Sequence, residues 1–142
     1  MSPHNKTRKE GKKLEDAVGE VAEYLGLKVT QHVKCGTKVD HSDRYLDVVV
    51  TDEFESLAIE CKSQMVSGSA QEKVTATMFD LILVPMPAIL VYAGQGFSTK
   101  YRRFLYSQAN AFHLENLQRY LEMFFDLKPK PEYKWFEAKF RR

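Results

Sequence analysis

The segment Leu57-Ala58-Ile59-Glu60-Cys61-Lys62-Ser63-Gln64 carries a carboxylate and an amine two positions apart inside an apolar run. In a strand, alternate side chains share a face. Leu57, Ile59 and Cys61 then enter one layer, and Glu60, Lys62 and Gln64 point to the other side. Ionisable groups on such a strand need partners or a function, because burying a bare charge is costly. The preceding apolar segment, Tyr45-Leu46-Asp47-Val48-Val49-Val50, supplies a lone carboxylate at its head. If the two segments pair about a turn at 52–56, Asp47 approaches Glu60 where the pairing ends. Carboxylates that close repel and raise one pKa unless a cation is shared. Hard oxygen ligands with open positions suit Mg²⁺ or Mn²⁺, with the backbone carbonyl of Cys61 as a further candidate ligand. A lysine beside such a cation can stabilise charge developing on a phosphate, or orient and deprotonate the attacking water. Aspartate, glutamate and lysine with Mg²⁺ are the parts of a phosphodiester-hydrolysing site.

The Glu-x-Lys spacing alone says little, since it recurs at Glu10-Gly11-Lys12, Glu132-Tyr133-Lys134 and Glu137-Ala138-Lys139. Only Glu60-Cys61-Lys62 sits inside an apolar strand that follows another strand headed by a lone aspartate. Asp40 and Asp43 are rivals to Asp47, but only Asp47 directly enters the apolar run. The bland alternative is a buried salt bridge across the hairpin, which costs desolvation energy without a metal to offset it.

Positioning these groups requires a scaffold, and periodicity outlines one. Leu14, Val18, Val21 and Leu25 recur at helical steps and predict a helix over 8–25, stopped by Gly26 at C′. Residues 27–33, 45–51 and 57–64 predict strands, with 34–43 a polar loop between the first two. Ser69 and Glu72 form a capping box that opens a helix with Val74, Met78, Leu81 and Ile82 on its apolar face, ended by Pro85 and Pro87. A buried strand over 88–93, a helix over 98–110, a short edge strand at 112–114 and a helix over 115–127 follow. The last has Leu117, Leu121, Phe124 and Phe125 facing in. The order αβββαβαβα predicts an α/β fold with a mixed central sheet flanked by helices.

The chain has 142 residues, 44% hydrophobic and 28% charged, which is ordinary globular composition and room for one domain. No apolar run reaches membrane-spanning length, and no signal peptide is evident, so an intracellular protein with reduced Cys35 and Cys61 is expected. The spacing of Cys35, Cys61, His32 and His41 matches no zinc unit. The net charge is only +2, yet the basic residues gather at the ends, in 1–7 and its continuation and in 128–142. Basic ends around an acidic centre suit a protein that grips a polyanion. Lys100, Arg102 and Arg103 could hold DNA phosphates, with Tyr101 and Phe104 packing inward. The loop bearing Lys34 and Lys38 is a candidate for touching bases. Pro129 and Pro131 end the last helix, so 132–142 should be a separate arm whose Tyr133, Trp135, Phe136 and Phe140 need cover. Such an arm packs on its own domain, docks on a second copy or lies against DNA; docking on a second copy is the expectation, with Arg141 and Arg142 reaching phosphates.

Asp47 followed by Glu60-Cys61-Lys62 resembles the PD-(D/E)xK nuclease superfamily, whose restriction-endonuclease-like core has the element order read here over about 8–127. Gly11-Lys12-Lys13-Leu14-Glu15 is similar to the family's first helix, whose glutamate faces the metal site. That resemblance gives Glu15 a place beside Asp47, Glu60 and Lys62. Lys62-Ser63-Gln64 followed by Gly68-Ser69-Ala70-Gln71-Glu72-Lys73 looks like a run found in some restriction endonucleases. It assigns Gln64 to the site and Lys73 to phosphate at a helix N-terminus. Leu46 stands where the motif name has proline. The resemblance implies a Mg²⁺-dependent DNA endonuclease cutting duplex in the manner of restriction enzymes. A four-way-junction resolvase, or a non-catalytic DNA-binding or assembly module, are the alternatives. One chain carries one apparent site, so a double-strand cut implies a homodimer, a partner subunit or two successive nicks.

Overall fold

Val48, Val49 and Val50 on one segment and Leu57, Ala58 and Ile59 on the next form adjacent central strands of a five-stranded sheet, and the other elements are arranged about them. The computed structural model describes residues 3–63, 70–94 and 97–133, with side chains described from Lys12 and, after the first break, from Val74. The elements are α1 (Pro3–Tyr24), β1 (Lys28–Thr37), β2 (Asp43–Thr51), β3 (Ser56–Ser63), α2 (Ala70–Leu81), β4 (Ala88–Ala93), α3 (Thr99–Tyr106), β5 (Ala111–His113), a 3₁₀ turn (Leu114–Asn116) and α4 (Leu117–Phe124). The sheet runs β1-β2-β3-β4-β5, antiparallel for the first two pairings and parallel for the last two. Among the described residues, no helix is long and apolar enough to cross a membrane.

Two apolar layers sandwich the sheet. Leu14, Ala17, Val18, Val21 and Leu25 of the first helical stretch join Leu117, Leu121 and Phe125 against Val48, Val50, Leu57, Ile59 and Cys61. On the opposite face Val74, Met78, Leu81 and Leu105 pack on Ala58, Leu90 and Tyr92. Each such aliphatic side chain contributes about 1.5–3 kcal/mol when fully buried. Gly26, at φ +84°, closes α1: the Gly26 N–H donates to Glu23 O and the Leu27 N–H to Ala22 O. This is a Schellman ending, in which the left-handed residue favours glycine. α4 ends in the same way with Asp126 (φ +53°) in the left-handed place and the Leu127 N–H donating to Glu122 O.

Several boundaries differ from the sequence expectation for physical reasons. α1 begins at Pro3 rather than at residue 8, with the proline at its first position, where a missing N–H costs nothing. The loop expected over 34–43 shrinks to 38–42, because β1 continues to Thr37 and β2 starts at Asp43. Over the added residues 34–37 only Cys35 is partly shielded from solvent, so this stretch carries no run of alternating apolar residues to mark it as strand. α3 ends at Tyr106, with residues 107–110 in turns. Ile82 lies past the end of α2 and is exposed, and Phe104 also faces solvent. The described end of the tail packs on its own chain: the Tyr133 ring centroid lies 5.1 Å from that of Tyr24, and the Tyr133 N–H donates to Gln118 Oε1. Tyr133 thus finds cover on its own chain; Trp135, Phe136, Phe140, Arg141 and Arg142, on which the expected docking to a second copy also rests, lie outside the described residues.

Candidate active site at a fork in the sheet

The β2–β3 ladder runs from Thr51↔Ser56 to Val48↔Ile59 and stops. Beyond it β2 stays paired with β1 through Val33↔Leu46 and Lys34↔Tyr45, and β3 stays paired with β4 through Glu60↔Leu90 and Lys62↔Tyr92. The sheet thus forks at Asp47 and Glu60. Their side chains replace the missing ladder bonds reciprocally: the Cys61 N–H donates to Asp47 Oδ2 at 2.8 Å, and the Asp47 N–H to Glu60 Oε1 at 3.2 Å. Each carboxyl thereby satisfies a backbone donor that the fork leaves without a strand partner. The apposition anticipated from the hairpin spacing is what the structure contains. At Cys61 it is the amide N–H that meets Asp47.

Glu60 is pushed up to about 8, first by burial, then by the negative charge of Asp47 and a side-chain hydrogen bond with it; the Asp47 N–H and the Lys62 ammonium act against the rise. Glu15 also titrates above the usual carboxylate range, through burial and then Asp47. The Cys61 thiol, packed into the α1 layer, is held far above its ordinary value by burial and by Asp47, Glu15 and Glu60. The Asp47 charge acts on both Glu60 and Glu15, and Lys62 is the cation acting on Glu60. The donor chemistry fits a hard divalent cation: Asp47 and Glu60 present oxygens to one place, and their mutual repulsion is what such an ion relieves. Among the described residues, no three acidic, histidine or cysteine side chains converge into a complete ligand set. An ion held by two carboxylates would keep positions for water and phosphate oxygens, the usual condition of Mg²⁺.

Glu60 and Lys62 form part of a cleft of about 500 Å³ that also involves Lys38, Asp40, Arg44, Tyr45, Phe79 and Asp80. Its wall is pinned by an ion pair whose arginine is buried and whose aspartate is partly exposed. Arg44 Nε and Nη2 donate to Asp80 Oδ2 and Oδ1, both at 2.9 Å, and Nη1 donates to Cys35 O at 3.3 Å. The pair ties β2 to α2 across the cleft floor and holds the Asp80 carboxyl below its usual range. Sequence reading passed over Arg44, whose burial depends on a partner 36 residues away.

The remaining candidates divide. Glu15 comes to the fork, with its side chain 14% exposed and Oε1 3.1 Å from His32 Nε2. Lys38 reaches the cleft, while Lys34 pairs with Asp43 at 3.6 Å on the hairpin's exposed side. Asp40 accepts from the Ser42 N–H and hydroxyl in the hairpin turn, so neither rival aspartate belongs to the fork. Lys100, Arg102 and Arg103 lie on α3 and are not among the residues lining the cleft; Ser98 caps that helix through the Tyr101 N–H. Gln64, the Ser69–Glu72 capping box and the side chain of Lys73 lie outside the described residues.

The family model of the PD-(D/E)XK nuclease superfamily domain matches residues 6–128. No curated protein matches the chain. Among solved structures, Can2 from Sulfobacillus thermosulfidooxidans, in complex with cyclic tetra-adenylate, superposes with a TM-score of 0.53 at 14% identity, over 80% of this chain and 35% of that one. A protein of unknown function, AF1548, aligns at 16% identity with a TM-score of 0.46, over 70% of this chain and 56% of its own. The chain thus spans well under two thirds of either protein's length, and the Can2 likeness bears on fold alone. The matched span includes the fork with Asp47, Glu60 and Lys62, the helix that brings Glu15 to it, and the whole described sheet: the chain belongs to the PD-(D/E)XK nuclease superfamily.

Proposed function

We propose that the protein is a Mg²⁺-dependent DNA endonuclease that hydrolyses phosphodiester bonds, cutting duplex in the manner of restriction enzymes. The observation that carries the reading is the reciprocal lock of Asp47 and Glu60 at the sheet fork, with Lys62 beside Glu60 on the cleft wall. Asp47 and Glu60 hold the cation, which when bound polarises the scissile phosphate and lowers the pKa of a coordinated water. Lys62 projects into the same cleft, where its ammonium stabilises charge on the phosphate and orients the attacking water. Glu15 stands behind the pair and sharpens the local negative field. Lys38 and the half-exposed Tyr45 ring near the cleft offer a phosphate contact and an aromatic face to the substrate. Arg102, Arg103 and Lys100 provide a second basic surface for the flanking backbone. A homodimer or partner subunit supplies the second cut.

Incubation of supercoiled plasmid with Mg²⁺ or Mn²⁺ tests this reading. Conversion to nicked and linear forms, suppressed by chelation and absent in Asp47→Asn, is expected. Plasmid untouched at any divalent-ion concentration, with linear duplex and four-way junctions equally intact, refutes it.

A further inference from the structure

β1 and β2 change faces together. Val29 packs with the α1 layer, but Val33 and Cys35 pack with the α2 layer, although all three are odd-numbered positions of one strand. In β2, Val48 and Val50 address α1, whereas Leu46 packs with the α2 layer and Arg44 pairs with Asp80. Register is conserved across the change, with Gln31↔Val48 on one side and Val33↔Leu46 on the other. No residue is inserted; the two-stranded ribbon rolls over at one step. That step is His32 opposite Asp47, and His32 has φ +55°. A left-handed backbone in the middle of a strand is costly for a residue with a Cβ, and such strain persists where the surrounding structure enforces it.

The consequence is geometric. In a regular strand Gln31 and His32 would point to opposite faces. Here both reach α1. Gln31 accepts from Lys12 Nζ at 3.2 Å and donates to Asp16 Oδ1 at 3.5 Å, while His32 Nε2 lies 3.1 Å from Glu15 Oε1. That Glu15 oxygen is buried and accepts no hydrogen bond, so the imidazole is close enough to pair with it but is not aligned to donate. Glu15 is thus held between His32 and the negative field of Asp47.

We propose that His32 is a positioning residue of the fork: its left-handed backbone turns the imidazole onto α1, where it holds Glu15 toward the place where Asp47 and Glu60 face each other. The assignment rests on the nuclease reading for its effect on turnover, but not for its effect on cation binding. His32 itself need touch neither substrate nor ion. Groups that orient a ligand shell in this way alter metal affinity or activity on the order of ten- to a hundredfold when removed.

Glycine tolerates φ +55° and removes the imidazole without disturbing the roll of the ribbon. His32→Gly should therefore keep or raise the thermal midpoint of the metal-free protein while weakening Mn²⁺ affinity about tenfold in calorimetric titration. Plasmid-nicking kcat should fall to a similar extent with KM unchanged. His32→Asn, which accepts the same backbone and keeps a donor near Glu15, should recover part of both losses. In a Glu15→Gln background, His32→Gly should add nothing, because the two residues act in series. Wild-type Mn²⁺ affinity in His32→Gly, or losses that add fully to those of Glu15→Gln, would overturn the proposal. A wild-type protein that binds no Mn²⁺ would overturn both this proposal and the nuclease reading. Binding without cleavage refutes only the nuclease reading, and the affinities then still decide the role of His32.

Discussion

Replacing Glu60 by glutamine removes a charge that the fold holds at an energetic disadvantage, so its effect on stability has a defined sign and pH window. Glu60 rises from 4.5 to about 8 on folding. Between those values the folded state binds a proton that the unfolded chain releases. Its stability is therefore greatest below about pH 4.5, falls as the pH rises through the window, and levels off above about 8. At about 1.4 kcal/mol per tenfold, that rise sets a ceiling of about 5 kcal/mol. Glu60 faces the cleft, and water reaching it lowers the penalty to about 2 kcal/mol. Glutamine keeps the Oε1 acceptor for the Asp47 N–H and carries no charge. Metal-free Glu60→Gln should consequently exceed wild type at pH 8 by roughly 6–10 °C in thermal midpoint, and match it near pH 4.5. Circular-dichroism melts across this range in chelator provide the measurement. Millimolar Mn²⁺ at pH 8 should raise the wild-type midpoint and leave that of the variant nearly unchanged. Parallel stability–pH curves for the two proteins would mean that burial and the Asp47 charge do not act on Glu60 as described.

Lys62→Ala should reduce plasmid cleavage a hundredfold or more, as removal of a transition-state donor does, while gel-shift affinity for the same DNA stays within a few-fold. Asp80→Ala leaves the Arg44 guanidinium with Cys35 O but without its carboxylate and, the pair being open to solvent on the Asp80 side, should cost about 1–3 kcal/mol in urea unfolding at pH 7; a loss within about 0.5 kcal/mol would show the pair to be solvated. Because Asp80 titrates below its usual range, the contribution of that pair is fully present above the unfolded value and disappears as the pH falls into the acid range. Iodoacetamide at pH 8 should label Cys35 well before Cys61, since burial and three carboxyls oppose the Cys61 thiolate; peptide mass spectrometry reads the order directly.

The parts of this architecture legible in the sequence are those whose signal is local. The α1 stripe ending in Gly26, the valine run of β2 and the apolar β3 announce themselves within a dozen residues. The turn at 52–56 fixes which positions of β2 and β3 can face each other, so the meeting of Asp47 with Glu60 follows from arithmetic. The hidden features depend on distant partners or on backbone geometry. Arg44 reads as a solvent arginine until Asp80 is placed beside it. His32 reads as an exposed strand residue, because nothing in a histidine codon position announces φ +55°. The end of β1 reads as loop because, over 34–37, Cys35 alone is partly shielded and the other three residues face solvent. Asp126 closes α4 in a place where glycine is the usual signal.

The tail that returns to α1 also bears on how the chain matures. Tyr24 Oη donates to Pro131 O across 107 positions, and Lys130 Nζ donates to Tyr24 O across 106 while lying 4.9 Å from the Tyr24 ring centroid. Glu122, buried beneath them, accepts from the Lys130 N–H and from Arg119. During synthesis α1 precedes Lys130 and Pro131 by more than a hundred positions, so its C-terminal end receives these contacts only after the whole described sheet has been made. Closing so long a loop is entropically slow. Until then the Tyr24 ring lacks both its Lys130 ammonium and its Tyr133 neighbour, and that end of α1 is the last part of the helix to be covered.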